Sequence, residues 1–291
     1  MTTERMDGDG SDLLDLITSH GGDVQTVAFE CLANGLTDAR TASLMHVLGW
    51  PDDAHCFAIA GFAPAAGGGG SGSGGGDAVA VTLSRLRRAA HDLGGSLAIA
   101  GTHDGVCVIL IASRAAATPE VTCTAMMGMF DADRPVALGP VRLGVDGASA
   151  TIRAAMATLA AAPAVQESRA AHNAGRPTSA ARQELNRLVR AEDALPERAL
   201  LGDEDARREL IEAVYGALTA AGPDDPTLET ISTFVLSGGS LETTAKTLNV
   251  HPNTVRYRLK RAADTTGWDA ADPREAYVLR TAIILGRIAR G

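Results

Sequence analysis

Apolar residues recur at three- and four-residue steps through residues 26–48 (TVAFECLANGLTDARTASLMHVL), first at Val27, Cys31 and Leu36, then at Leu44, Val47 and Leu48. This spacing predicts one or two helices, and Gly49-Trp50-Pro51 ends them. Residues 55–62 (HCFAIAGF) form a short apolar run of the kind that makes a buried strand. Residues 77–93 predict an amphipathic helix with Arg85, Arg87 and Arg88 on its basic side. Two strands, 96–101 and 106–112, flank Thr102-His103-Asp104-Gly105. Asp-Gly between apolar runs is a tight-hairpin signal. A helix over 120–130 and a strand over 136–138 complete a β-α-β-β-α-β order. Further helices are expected over 146–161, 179–190 and 204–220.

The tract Gly67–Gly76 holds eight glycines and two serines. It has no side chains to pack and reads as a flexible surface loop. No Lys or Thr completes a phosphate-binding loop there. Cys31, Cys56, Cys107 and Cys123 lie far apart, with no Cys-x-x-Cys pair and no His at ligand spacing. They read as small buried hydrophobes rather than as metal ligands. The longest apolar run, Val106–Ala112, falls far short of the roughly 20 residues of a membrane span. Residues 1–12 (MTTERMDGDGSD) are acidic and polar, unlike a secretion leader. A cytoplasmic location is expected.

Charge refines the picture. The net charge is −9, which argues against a generic nucleic-acid binder. The distribution is uneven: residues 227–291 hold nine Lys/Arg against six Asp/Glu, a balance of +3, and the rest of the chain carries −12. An acidic body with a basic tail fits a protein that meets DNA through one module.

The tail has the pattern that module requires. Leu228–Leu236 predicts a helix ended by Ser237-Gly238-Gly239. Ser240 then caps a short helix, Leu241–Leu248, with Glu242 in its first turn. Asn249-Val250-His251 makes a turn, and Pro252 opens the next helix, where its missing N–H costs nothing. That helix, Asn253–Asp264, packs through Val255, Leu259 and Ala262. Two short helices around a tight turn, the second basic and opening with small polar residues, make a helix-turn-helix. The N-terminal residues of such a second helix meet base edges in the major groove. His251, Asn253, Thr254 and Tyr257 stand there, while Arg256, Arg258, Lys260 and Arg261 supply charge for phosphates, with Arg256 also able to reach a base.

The Asn-x-His-x-Asn-Thr-Val-Arg-Tyr-Arg-Leu core, the Thr-Gly-Trp after it and the Asp-Pro before the last helix resemble the C-terminal helix-turn-helix of PucR-family (CdaR-type) transcriptional regulators. The β-α-β-β-α-β segment looks like the GGDEF-like domain common in that family. In an active diguanylate cyclase the hairpin carries paired carboxylates for metal, whereas here Asp104 stands without a second one beside it in the sequence. The rival function, a nucleotide-signalling enzyme or sensor built on this domain, is therefore disfavoured, and no enzyme activity, cofactor or metal site is expected. Residues 190–203 and the VYGAL helix resemble actinobacterial members that regulate fatty-acid and mycolic-acid synthesis.

The fold class expected is α+β: a GGDEF-like, ferredoxin-type α/β domain followed by an all-α helix-turn-helix domain. Its parts are an N-terminal helical segment (1–50), the degenerate GGDEF-like domain (51–162), a helical linker (163–226) and the DNA-binding domain (227–291). The function expected is sequence-specific binding of promoter DNA, regulating lipid synthesis. A single module reads few base pairs, so a homodimer on a palindromic site is expected. The final helix, Tyr277–Ile288, together with the 77–93 helix and the 96–112 sheet, is expected to join the protomers. The resemblance implies a small-molecule effector, an acyl thioester in the fatty-acid regulators.

Overall fold

A computed structural model describes residues 23–65, 74–93, 97–113, 117–172, 186–222 and 224–290. The chain divides into two compact units, 1–193 and 194–291.

In the first unit, α1 (Val24–Ala33) and α2 (Ala39–Val47) precede strand β1 (His55–Gly61). Helix α3 (Gly74–Asp92) leads to β2 (Ala98–His103) and β3 (Val106–Ala112). Then come α4 (Pro119–Met126), β4 (Val136–Leu138), β5 (Arg142–Leu143), the long α5 (Gly144–His172) and β6 (Leu188–Arg190). The sheet order is β2-β3-β1-β4-β6, with β5 also paired to β1. Among the described strands only the β4–β6 pair is parallel. The first four strands thus realise the ferredoxin-like arrangement, and β6 extends it.

Alternation along the strands explains why both sheet faces are covered. Cys56, Ala58 and Ala60 of β1, with Val108 and Leu110 of β3, pack on Phe29 and Leu32 of α1 and on Ile152 and Ala155 of α5. Phe57 and Ile59, with Ile109 and Ile111, pack instead on Leu86 of α3 and Cys123 and Met126 of α4. Because side chains change face at every residue, each strand feeds two cores, so β1 reads as a continuous apolar run. Gly101 is required by close approach: a Cβ there would fall 2.2 Å from the Phe29 ring.

Helix α1 therefore belongs to the core of this unit rather than to a separate leading segment. Burial of α5 has a second consequence. It is the one helix among the described residues long and apolar enough to cross a membrane, yet 61% of that window is buried inside the unit.

Several elements differ from the sequence expectation. The first hairpin strand ends two residues later than expected while the second keeps its expected bounds, leaving Asp104 (φ 49°) and Gly105 (φ 76°) as the two-residue turn, as a primed turn demands. Helix α3 starts within the glycine tract, at Gly74; residues 67–73 of that tract lie outside the described residues, as do residues 1–12. The 146–161 helix extends to His172 through Pro163. Of the helix expected over 179–190, residues 179–185 lie outside the described residues, and 188–190 form β6 instead. Three residues are too few to show a period, and the pairing of Val189 with Ala137 of β4 decides the conformation.

In the second unit, α6 (Leu195–Leu200) precedes a helix over 204–219 whose middle, Leu210–Tyr215, is wound as a π-helix. Then follow α7 (Thr227–Leu236), α8 (Leu241–Thr247), α9 (Pro252–Thr266) and α10 (Pro273–Arg290). Leu195, Leu210, Val214, Tyr215 and Leu218 share one core with Ile231, Val255, Leu259, Leu279 and Ile283. Residues 163–226 are thus not an independent linker: they divide between the two units. Glu197 receives a bidentate contact from Arg274, tying α6 to the start of α10. Arg198 pairs with Asp203 at 2.7 Å.

Candidate nucleic-acid interface

The geometry of α7, α8 and α9 follows from local chemistry. Asp225 starts α7 by accepting from the Thr227 N–H at 2.8 Å. Ser240 caps α8, its hydroxyl accepting from the Thr243 N–H at 3.2 Å. The turn after α8 passes through Asn249 in the left-handed region (φ 52°), a conformation Asn adopts more readily than other side-chain-bearing residues. The Val250 N–H then donates to the Ala245 carbonyl at 3.0 Å, and Val250 packs on the core. Pro252 occupies the first position of α9.

The apolar stripe of α9 is Val255, Leu259 and Ala262, all buried. At about 100° per residue, Asn253, Tyr257 and Lys260 fall within about 60° of one another on the opposite side, with Arg256 next to them. These four side chains are exposed, Tyr257 at 67%. Arg256 Nη1 donates to Asn253 Oδ1 at 2.7 Å, so the amide and the guanidinium are joined into one donor-rich group. Such groups recognise base edges.

The remaining predicted site residues do other work. His251 is the N-cap of α9, its Nδ1 accepting from the Asn253 N–H at 3.1 Å. The acceptor role puts the ring proton on Nε2, which leaves that nitrogen as a donor. Thr254 is half-buried. Arg258 turns inward, donating to Thr230 Oγ1 at 3.1 Å, and Thr230 donates in turn to the Pro226 carbonyl at 2.6 Å. Arg261 pairs with Asp225 at 3.0 Å. The Thr227 side chain and N–H, with Arg261, keep the Asp225 carboxyl below the ordinary carboxylate range.

Sequence reading missed Asp225 and Thr230 as partners of the basic helix; the Asp-Asp-Pro run marked only a break. It also passed over Lys246, exposed in the last turn of α8.

In the first unit, the β2–β3 turn leaves Asp104 88% exposed. His103 stands between two carboxylates: Glu30 of α1 lies 3.3 Å from its Nδ1, and Asp104 lies 3.8 Å from its Nε2. The separation of 73 residues between Glu30 and His103 hid this from the sequence. Among the described residues no group of three or more metal-ligating side chains forms.

Two short helices about a tight turn, the second with an exposed polar and basic row, define a helix-turn-helix DNA-binding module. Residues 227–285 match the PucR C-terminal helix-turn-helix domain and residues 33–161 the GGDEF-like domain. A crystal structure described as a regulator of polyketide synthase expression from Bifidobacterium adolescentis is 47% identical, with a TM-score of 0.78 over 96% of this chain and 99% of that one. Uncharacterized proteins of Mycobacterium tuberculosis and Mycobacterium bovis are 34% identical over 259 residues. That match covers 89% of this chain, which spans 56% of the length of those relatives. The chain belongs to the PucR/CdaR-type family of regulators and carries that family's C-terminal helix-turn-helix domain.

Proposed function

We propose that the protein regulates promoters of acyl-chain synthesis, binding as a homodimer to a palindromic site through α9. The observation that carries the DNA-reading part is the exposed row Asn253, Arg256, Tyr257 and Lys260 opposite the buried stripe of the same helix. Arg256 with Asn253 reads bases, and Lys260 meets the backbone. The dimer follows from selectivity: one helix reads a few base pairs against on the order of a million competing sites. The apolar residues that α10 leaves exposed, Ile284 and Ile288, support a contact between protomers.

The pathway rests on two likenesses. Residues 190–203 resemble regulators of fatty-acid and mycolic-acid synthesis, and the Bifidobacterium relative is described by polyketide synthase expression. Both kinds of synthase condense acyl thioesters, so an acyl thioester is the effector class to test, acting through the first unit in the cytoplasm. The hairpin carries no cyclase chemistry in this reading.

Footprinting and sedimentation on one purified sample, with promoter fragments of acyl-synthase genes, test the scheme. Two protected half-sites spaced by about 34–36 Å or a multiple, with a dimer in solution, are expected. A monomer that saturates DNA while protecting one half-site overturns the dimer. Absence of any protection on those fragments, with protection elsewhere, overturns the pathway.

A further inference from the structure

Arg261 lies to one side of the exposed row of α9 and is held from behind. One oxygen of Asp225 accepts from the Thr227 N–H at 2.8 Å, and the other pairs with Arg261 at 3.0 Å. The carboxylate is thus fixed by the start of α7 before it meets the guanidinium. The two side chains differ in access: Asp225 is 10% exposed and Arg261 48%. The anion is sheltered behind the cation, and much of the five-donor guanidinium still faces solvent. A cavity of about 300 Å³, lined in part by Ala217, Ala221, Thr227 and Thr265, opens beside the pair. Without Asp225 the long Arg261 side chain has room to turn into it.

We propose that Asp225 is a positioning residue for DNA binding: it touches no nucleotide, but holds the Arg261 guanidinium with its outer edge toward a backbone phosphate. Planar guanidinium groups bind phosphate through paired donors, so orientation matters more for Arg than for Lys. A carboxylate at the surface would repel the same phosphate. Its sheltered position is what lets it orient without opposing. This rests on the reading of α9 as the DNA-contacting helix.

The test compares Asp225→Asn, Arg261→Gln and the double variant of the full chain on a footprinted operator fragment, measuring Kd across a range of salt. Arg261→Gln is expected to weaken binding about five- to tenfold on all sequences and to lower the salt slope by about 0.9. Asp225→Asn is expected to reproduce both changes, and the double variant to match Arg261→Gln alone. The non-additivity separates positioning from folding, because a loss of α7 stability would persist in the Arg261→Gln background. An unchanged slope in Asp225→Asn overturns the proposal, as does tighter binding or an additive double variant. If the wild type forms no specific complex, the reading of α9 falls with it. A specific complex weakened by Arg256→Ala but indifferent to Asp225→Asn removes this inference alone.

Discussion

Gly286 offers a sharp test of how the second unit is packed. Helix α10 crosses the π-wound turn at Tyr215, and a Cβ at residue 286 would lie 2.2 Å from the ring carbons Cγ and Cδ1. Ordinary carbon contacts are about 3.5–4.0 Å, so the ring would have to retreat by about 1.3 Å. Tyr215 is 5% exposed and carries Arg290 over its face at 4.7 Å, which leaves little room to move. Overpacking of this kind costs about 1–3 kcal/mol, sometimes more, while Ala gains about 1 kcal/mol over Gly in a helix. Gly286→Ala is therefore expected to destabilise the unit by up to about 2 kcal/mol, at about 4–8 °C per kcal/mol in a unit of this size. With Trp50→Phe throughout, the fluorescence of Trp268, which packs on this core, reports the transition in urea. In a Tyr215→Ala background, which removes Cγ and the ring, the sign should reverse, and Gly286→Ala should stabilise by up to about 1 kcal/mol. A raised midpoint for Gly286→Ala in the intact background would refute the close approach.

Arg256→Ala should relax sequence preference, and Lys260→Ala should weaken all sites and lower the salt slope by about 0.9; titration against matched and mismatched operators checks both. The four cysteines should resist a thiol reagent in the folded protein and all react in denaturant, since each is buried. Burial pushes the Cys56 thiol from 9.0 to about 12, and burial aided by Glu120 does the same for Cys123. The neutral thiol is favoured by folding, so this stabilisation is full below pH 9 and falls as pH rises from there toward 12. The fall is about 1.4 kcal/mol per pH unit for each thiol, and urea midpoints with Cys56→Ala should show a shallower loss. Purified protein should not turn GTP into a cyclic dinucleotide, and turnover abolished by Asp104→Ala would overturn that expectation.

Local signals carried much of the architecture. The Asp-Gly turn, the alternation of β1 and β3, and the serine and proline at the starts of α8 and α9 each act through neighbours in sequence, so their structure could be read there. The misreadings share the opposite property. Strand β6 exists because β4 offers it an edge, the π-turn accompanies a core in which Tyr215 meets Gly286, and Glu30 reaches His103 only after the sheet has formed. Nothing within ten residues of any of these encodes the contact.

The basic helix shows where the line falls. Its buried positions, Val255, Leu259 and Ala262, fix the inward direction from sequence alone, and by helix geometry Arg258 stands only about 40° from Ala262. An inward role for Arg258 was therefore legible, although charge counting placed it on phosphates. Arg261 stands about 100° from Ala262, on the flank, where rotation about the helix leaves its role undecided. What decides it is Asp225, 36 residues earlier, fixed by the first N–H of another helix. Periodicity assigns a residue to a face, but a flanking cation takes its role from the carboxylate that the fold brings to it. Four positive charges on one helix thus divide by structure into two that face outward, one that ties α9 to α7, and one that is held at the margin between.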